Sequence, residues 1–145
     1  MDQLRLPAIA LAFAALGAGV VVVYRATAPA DGTVCRAGAS TMARLELLFG
    51  AGAPGGREIG EGDWRAFLDA EVTPRFPDGL TVLSGYGQWR NSAGVIAKEN
   101  TRALLIWYRP GVDVNASIEA IRGAYKTRFG QESVMRVDGT SCVSF

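Results

Sequence analysis

The stretch that decides the fold runs from Leu80 to Tyr108: LTVLSGYGQWRNSAGVIAKENTRALLIWY. Its first part, Leu80 to Arg90, mixes β-branched and aromatic residues with polar ones and reads as a strand. Gly85 and Gly87 within it suggest a bulge or a close approach by another group. Asn91-Ser92-Ala93-Gly94 has the composition of a hairpin connection, and a further strand follows, strongest from Ala103 to Tyr108.

Working outward, each side of this hairpin carries a helix and then a strand. Upstream, Trp64, Phe67, Leu68 and Val72 recur at helical spacing until Pro74, and Phe76-Pro77-Asp78-Gly79 is turn chemistry. Before that helix, Gly50 to Gly62 is glycine-rich and reads as a loop. Arg44-Leu45-Glu46-Leu47-Leu48-Phe49 alternates as a strand, with Leu45, Leu47 and Phe49 on one face. Downstream, Pro110 and Gly111 stop the hairpin, and Asn115 or Asp113 is placed to cap a second helix. Ile118, Ile121, Tyr125 and Phe129 form its stripe, and Gly130 ends it after the cations Lys126 and Arg128. A last strand begins near Ser133 and runs towards Cys142 and Phe145.

The order β-α-β-β-α-β predicts an α+β, ferredoxin-like domain: a four-stranded antiparallel sheet with two helices on one face. The expected domain spans residues 44–145, after a lead-in segment at residues 31–43. In this arrangement the first and last strands are expected as antiparallel neighbours at the sheet centre. Cys35 and Cys142 then come together and are expected to form a disulfide, against the reading of two unrelated buried thiols.

Residues 1–30 carry a hydrophobic helix. Ala8 to Tyr24 has no charge and would span roughly 25 Å, a little short of a hydrocarbon core. As a signal peptide it has a small-x-small cleavage site at Ala28-Pro29-Ala30. As a membrane anchor, residues 6–24 would stay in the bilayer, and the length of the run with its weak basic start suits that reading. The Ala28-Pro29-Ala30 site and the Pro/Gly-containing stretch after it favour cleavage, the preferred reading. Both send the domain out of the cytoplasm, to a periplasmic or extracytoplasmic location where an even cysteine count implies a disulfide.

Composition removes several functions. There is no histidine, so the Ser-His-Asp and Cys-His arrangements and imidazole ligation are excluded. Two distant cysteines cannot supply zinc-cluster spacing, and no acidic run resembles a calcium loop. No metal and no cofactor are expected. Lys plus Arg number 15 and Asp plus Glu 14; without Asp2, Arg5 and Arg25 the body has 13 of each. A neutral body lacks the basic stripe that phosphate neutralisation requires, so nucleic acid is not an expected partner.

Gly50-Ala51-Gly52-Ala53-Pro54-Gly55 matches G-x-G-x-x-G, but no helix opens directly from it and the domain is too small for a dinucleotide fold. A surface loop is the better reading. The sheet face left bare by the helices is more informative. Glu46, Arg102 and Arg136 are expected there, among Leu48, Leu104 and Ile106, with Gln88, Arg90 and Glu99 on the adjoining hairpin. Glu46, Gln88, Arg90, Glu99 and Arg102 are therefore the candidate ligand-binding residues, with an arginine to hold a carboxylate or phosphate. Trp89, Trp107, Tyr86 and Tyr108 could line the pocket or simply pack across strands.

Arg75-Phe-Pro-Asp-Gly-Leu-Thr-Val-Leu-Ser-Gly-Tyr-Gly-Gln-Trp-Arg90 resembles the signature of the bacterial domain-of-unknown-function family 3574. Leu45-Glu-Leu-Leu-Phe-Gly50, Asp63-Trp64, Arg128-Phe-Gly-Gln-Glu-Ser-Val134 and the ending Ser141-Cys-Val-Ser-Phe145 are similar to it too. The resemblance covers nearly all of residues 35–145. It implies an exported protein and brings no activity with it. The expected function is a non-catalytic envelope domain that binds a small ligand or an envelope protein through the open sheet face. A homodimer over that face would bury Leu48, Leu104 and Ile106. The alternative is a small cofactor-free enzyme of the oxygenase or isomerase type, with Glu46 or Glu99 as base beside an arginine.

Overall fold

A computed structural model describes residues 34–110 and 114–145. The signal peptide or anchor, its cleavage site and Asp113 lie outside the described residues. The main strands are β1 (Ser40–Gly50), β4 (Thr81–Arg90), β5 (Ile96–Tyr108) and β6 (Met135–Val143). Two short strands, β2 (Gly52–Ala53) and β3 (Arg57–Glu58), pair as a small ribbon. The glycine-rich segment after β1 is thus a hairpin where a loop was expected. The helices are α1 (Glu61–Phe67) and α2 (Asn115–Phe129).

The sheet is antiparallel throughout, in the order β4-β5-β1-β6. The α+β, ferredoxin-like expectation holds in its order and pairing. One part is corrected: β6 neighbours β1 but forms an edge, and the centre belongs to β1 and β5. The crossover through α1 carries the chain past β5's place, and the hairpin then returns β5 to β1. β4 pairs with β5 without a break from Thr81 to Arg90, so Gly85 and Gly87 make no bulge.

The register decides which side chains face the helices. Leu45 lies opposite Ile106, and Leu47 lies between Leu104 and Arg136 on its two neighbours. Directly opposed residues share a face, so Leu104 and Ile106 belong to the buried side with Leu45, Leu47 and Phe49. The expectation that Arg102, Arg136, Leu104 and Ile106 line the open face is therefore corrected. A face-to-face dimer would not bury Leu104 or Ile106.

Both helices pack on that buried side. Phe49 meets Tyr125 at 4.6 Å and Trp64 at 5.2 Å between ring centroids, edge to face, and Phe67 meets Tyr125 at 5.0 Å. Such pairs are worth about 0.5–1.5 kcal/mol each beyond their buried area. After Phe67, α1 widens into a π turn over Leu68–Val72, in which the Thr73 amide donates to the Leu68 carbonyl at 2.9 Å. The wider turn lets Phe67 and Val72, five residues apart, both reach the core. Val114, at the start of α2, makes no side-chain cap, and Asn115 accepts from Arg136 at 2.7 Å. Gly130 ends it at φ 66°, the left-handed conformation that glycine adopts freely.

Cys35 and Cys142 are disulfide-bonded, with Cα atoms 5.4 Å apart. Thr41 of β1 pairs with Cys142 of β6, so the register brings the segment before β1 to the end of β6. Cross-linking residues 107 apart stabilises by about 4–5 kcal/mol on the chain-entropy account. Among the described residues no helix is long and apolar enough to cross a membrane.

Candidate functional site

With the helices on one side, the other face of the sheet presents the alternate residues. From β1 come Arg44, Glu46, Leu48 and Gly50; from β5, Glu99, Thr101, Leu105 and Trp107. Leu83, Met135 and Val137 stand exposed on the same face. Near the Gly50 end the face deepens into a hollow of about 270 Å³ lined by Leu48, Gly50, Trp89, Glu99, Thr101 and Gln131 among others.

Glu99 is the organised group in it. Its Oε2 accepts from the Gly52 amide at 2.7 Å, and its Oε1 accepts from the Trp89 indole N–H. Glu99 lies opposite Gly87, and Trp89 opposite Ala97, so the indole reaches the carboxylate diagonally across the strand pair. The missing side chain at Gly87 makes room for Thr101, since a Cβ there would lie 3.1 Å from the Thr101 Oγ1. Gly50 is small for a firmer reason. A Cβ built there would lie 2.6 Å from the Glu99 Oε2, and one on Gly52 would lie 2.9 Å from it.

The hairpin that presents these glycines is tied down from the helix side. The Tyr125 hydroxyl donates to the Gly50 carbonyl at 2.8 Å, and the Gln131 side-chain amide donates to the Gly52 carbonyl. Burial pushes the Tyr125 phenol well above its usual range; Arg102 opposes that and Glu99 adds to it. The phenol therefore stays a donor across the physiological range. The Ala51 amide donates to the Asn100 carbonyl at 2.8 Å, which joins the same hairpin to β5.

The five sequence candidates divide. Glu99 and Gln88 line the hollow. Glu46 pairs with Arg44 at 2.8 Å further along the open face. Arg90 donates to the Gly94 carbonyl at 3.2 Å and closes the hairpin turn. Arg102 points to the opposite side, where it donates to the Ile59 carbonyl at 3.3 Å and pairs with Glu61 at 3.2 Å. Its guanidinium also lies 5.4 Å from the Trp64 ring centre. The expected arginine beside a carboxylate on the open face is thus absent from this hollow. Among the described residues Glu99 is the one fully charged group that lines it. Its chemistry suits a cation or a neutral donor, not a carboxylate or phosphate. Thr101, Gln131, Gly50 and Gly52 join the site through the fold and are not among the sequence candidates. The Gly-Ala-Gly run after β1 was their one signal, as glycines there mark a close backbone approach. Among the described residues no cluster of three or more His, Cys, Asp or Glu side chains could hold a metal.

The family described as Protein of unknown function (DUF3574) matches residues 44–145. No curated protein matches the chain. Among solved structures it is similar to a phage SAM lyase in complex with S-methyl-5'-thioadenosine, at TM-score 0.57 and 13% identity, covering 77% of this chain and 94% of that one. An apo phage SAM lyase is similar at TM-score 0.48 and 16% identity, over 79% and 97%. At this identity the first likeness is one of fold. It nonetheless corrects the expectation of a non-catalytic binding domain: the solved chain that shares the fold is an enzyme. The open face also carries an organised carboxylate, Glu99, one of the two that the alternative enzyme reading names as base.

Proposed function

We propose that this chain, which belongs to the DUF3574 family across residues 44–145, is a small enzyme whose working group is the Glu99 carboxylate. One observation carries the proposal. Glu99 is held by two N–H donors over glycine backbone at the wall of the open-face hollow, as its one full charge among the described residues. A carboxylate so held has its orientation set before a substrate arrives, which is the main structural requirement of electrostatic and proton-transfer catalysis.

The reaction class that suits it is elimination from a small cationic substrate. Glu99 attracts the cation, and the ring of Trp89 in the same hollow adds cation–π attraction. In the step itself, Glu99 accepts a proton from a carbon adjacent to the one that bears the leaving group. The C–H pair becomes the new C=C bond, and the leaving atom departs with the pair of its broken bond. For a sulfonium the departing group is a neutral thioether. This transfer needs no electron carrier and no metal, so the proposed enzyme is cofactor-free. A sulfonium such as SAM is the first substrate to try, since the phage lyase of similar fold is named for it.

Calorimetric titration of the full chain with SAM and with neutral S-methyl-5'-thioadenosine tests the charge preference. The cation is expected to bind more tightly, and Glu99→Gln is expected to remove the difference. Equal affinities in both proteins would remove the electrostatic basis of the proposal.

An extracytoplasmic location belongs to the same proposal. The Cys35–Cys142 disulfide supports it, since such bonds persist in oxidising compartments, and so does the uncharged run Ala8 to Tyr24.

A further inference from the structure

Arginines in this domain are almost all engaged. Arg36, Arg90, Arg102 and Arg122 donate to oxygens of the protein; Arg44, Arg57, Arg65, Arg75 and Arg136 sit in ion pairs; Arg128 lies over a phenyl ring. Arg109, just past the end of β5, is the exception among the described residues. It lines three adjoining hollows, of about 180, 390 and 390 Å³. Two of these also take Asp78, from the Phe76-Pro77-Asp78-Gly79 turn. Asp78 likewise has no ion pair or side-chain hydrogen bond among the described residues, and the two charges do not pair with each other.

The walls between them are aromatic and apolar: Trp107, Tyr108, Leu105, Leu80 and Met42 in the larger hollow. Tyr108 is backed by Phe76, ring centroids 6.0 Å apart. Two opposite charges, each left open and set beside an aromatic wall, match a ligand that carries both charges and an apolar body. From Glu99 to Trp107 is eight residues of one strand, about 25 Å, so this place lies at the other end of the sheet from the Glu99 hollow.

We propose that the Asp78–Arg109 hollow is a second binding site, for an α-amino acid with an apolar or aromatic side chain. Arg109 takes the carboxylate, with the fork geometry that suits it, and Asp78 takes the ammonium. Trp107, on the open face, covers the side chain, while Tyr108 on the other face packs against Phe76. The site is independent of the Glu99 proposal and stands or falls separately from it.

The experiment is an NMR titration of the full chain with L-phenylalanine, phenethylamine and 3-phenylpropionate, followed on the tryptophan indole signals. L-phenylalanine is expected to bind saturably and to move the Trp107 signal while the Trp89 signal stays. Each analogue lacks one charge and is expected to bind about tenfold more weakly or worse, the worth of one charge-assisted hydrogen bond. Arg109→Gln and Asp78→Asn, both on the surface, are expected to weaken L-phenylalanine by a similar factor each. Absence of saturable binding, equal affinities for the three probes, movement of Trp89 alone, or indifference to both substitutions would each overturn the proposal.

Discussion

Replacing Gly50 by alanine is expected to expel Glu99 from its position and leave the fold standing. The new Cβ would lie 2.6 Å from Oε2 and 2.7 Å from Cδ of Glu99, closer than real Cβ contacts come. The Gly50 backbone cannot retreat easily, because the Tyr125 hydroxyl holds its carbonyl and Thr101 pairs with it on β5. The group that yields is the end of the Glu99 side chain. Moving it breaks two charge-assisted hydrogen bonds, from Gly52 and from Trp89. Each such bond contributes roughly 1.5–3 kcal/mol. Glu99 is only half-buried, and water would resolvate the freed carboxylate, so a net loss of about 1–3 kcal/mol of stability is the reasonable expectation. Chemical denaturation measures that loss, and the environment of the Trp89 indole, read by its NMR signal, reports whether the contact to Glu99 is gone. The loss of catalysis should exceed the loss of stability, since a carboxylate displaced by about 1 Å no longer meets its substrate correctly. A Gly50→Ala protein with an unshifted Trp89 signal and unchanged stability would refute this reasoning.

Other outcomes follow from the same geometry. Gly123→Ala, within α2 and with open space where the Cβ would go, should stabilise by about 0.5–1 kcal/mol in the same denaturation assay. Cys142→Ser should cost about 2–5 kcal/mol, and reductant should destabilise the parent protein but not the variant. Above pH 10 the unfolded state releases the Tyr125 proton while the folded state keeps it. The stability that the raised phenol contributes is complete below pH 10 and is lost as pH rises from there, so Tyr125→Phe should flatten the alkaline fall. Hydrogen bonds from Arg65 and Arg102 hold the Glu61 carboxyl below its ordinary value, and Arg122 and Arg136 do the same for Glu119. Their small contribution is present above the ordinary carboxylate pKa of 4.5 and is lost as pH falls below it, which Glu61→Gln should blunt.

The element order was legible because each element carries its own local mark. The stripe Ile118, Ile121, Tyr125, Phe129 ends on Gly130, and the hairpin turns on Asn91, whose side chain accepts from the amides of Ala93 and Val95. Register was the weak point. Ala103-Leu-Leu-Ile-Trp-Tyr108 is apolar at every position, so alternation cannot say which residues face the helices. The polar residue before it, Arg102, invited an open-face reading. In the fold it sits at the end of the buried side, where Glu61 and the Trp64 ring receive it. Arg136 follows the same rule at the sheet edge, against Glu119 of α2. Glu99 could be named from the chain alone, but not its setting. Its contacts join β4, β5 and the hairpin after β1, and only cross-strand register brings Trp89, Gly50 and Gly52 to one carboxylate. The unpaired Asp78 and Arg109 were invisible for a related reason. That a charge lacks a partner is a property of the packed chain, not of its sequence.

The most direct measurement is chromatographic detection of S-methyl-5'-thioadenosine released from SAM by three proteins: the parent chain, Glu99→Gln and Glu46→Gln. Glu46 is a carboxylate on the same sheet face, outside the Glu99 hollow, so it controls for charge and handling. The account predicts release by the parent and by Glu46→Gln, with Glu99→Gln slower by about 10²-fold or more, the usual worth of a positioned proton acceptor. Equal rates for the parent and Glu99→Gln, or no release by any of the three, would contradict it.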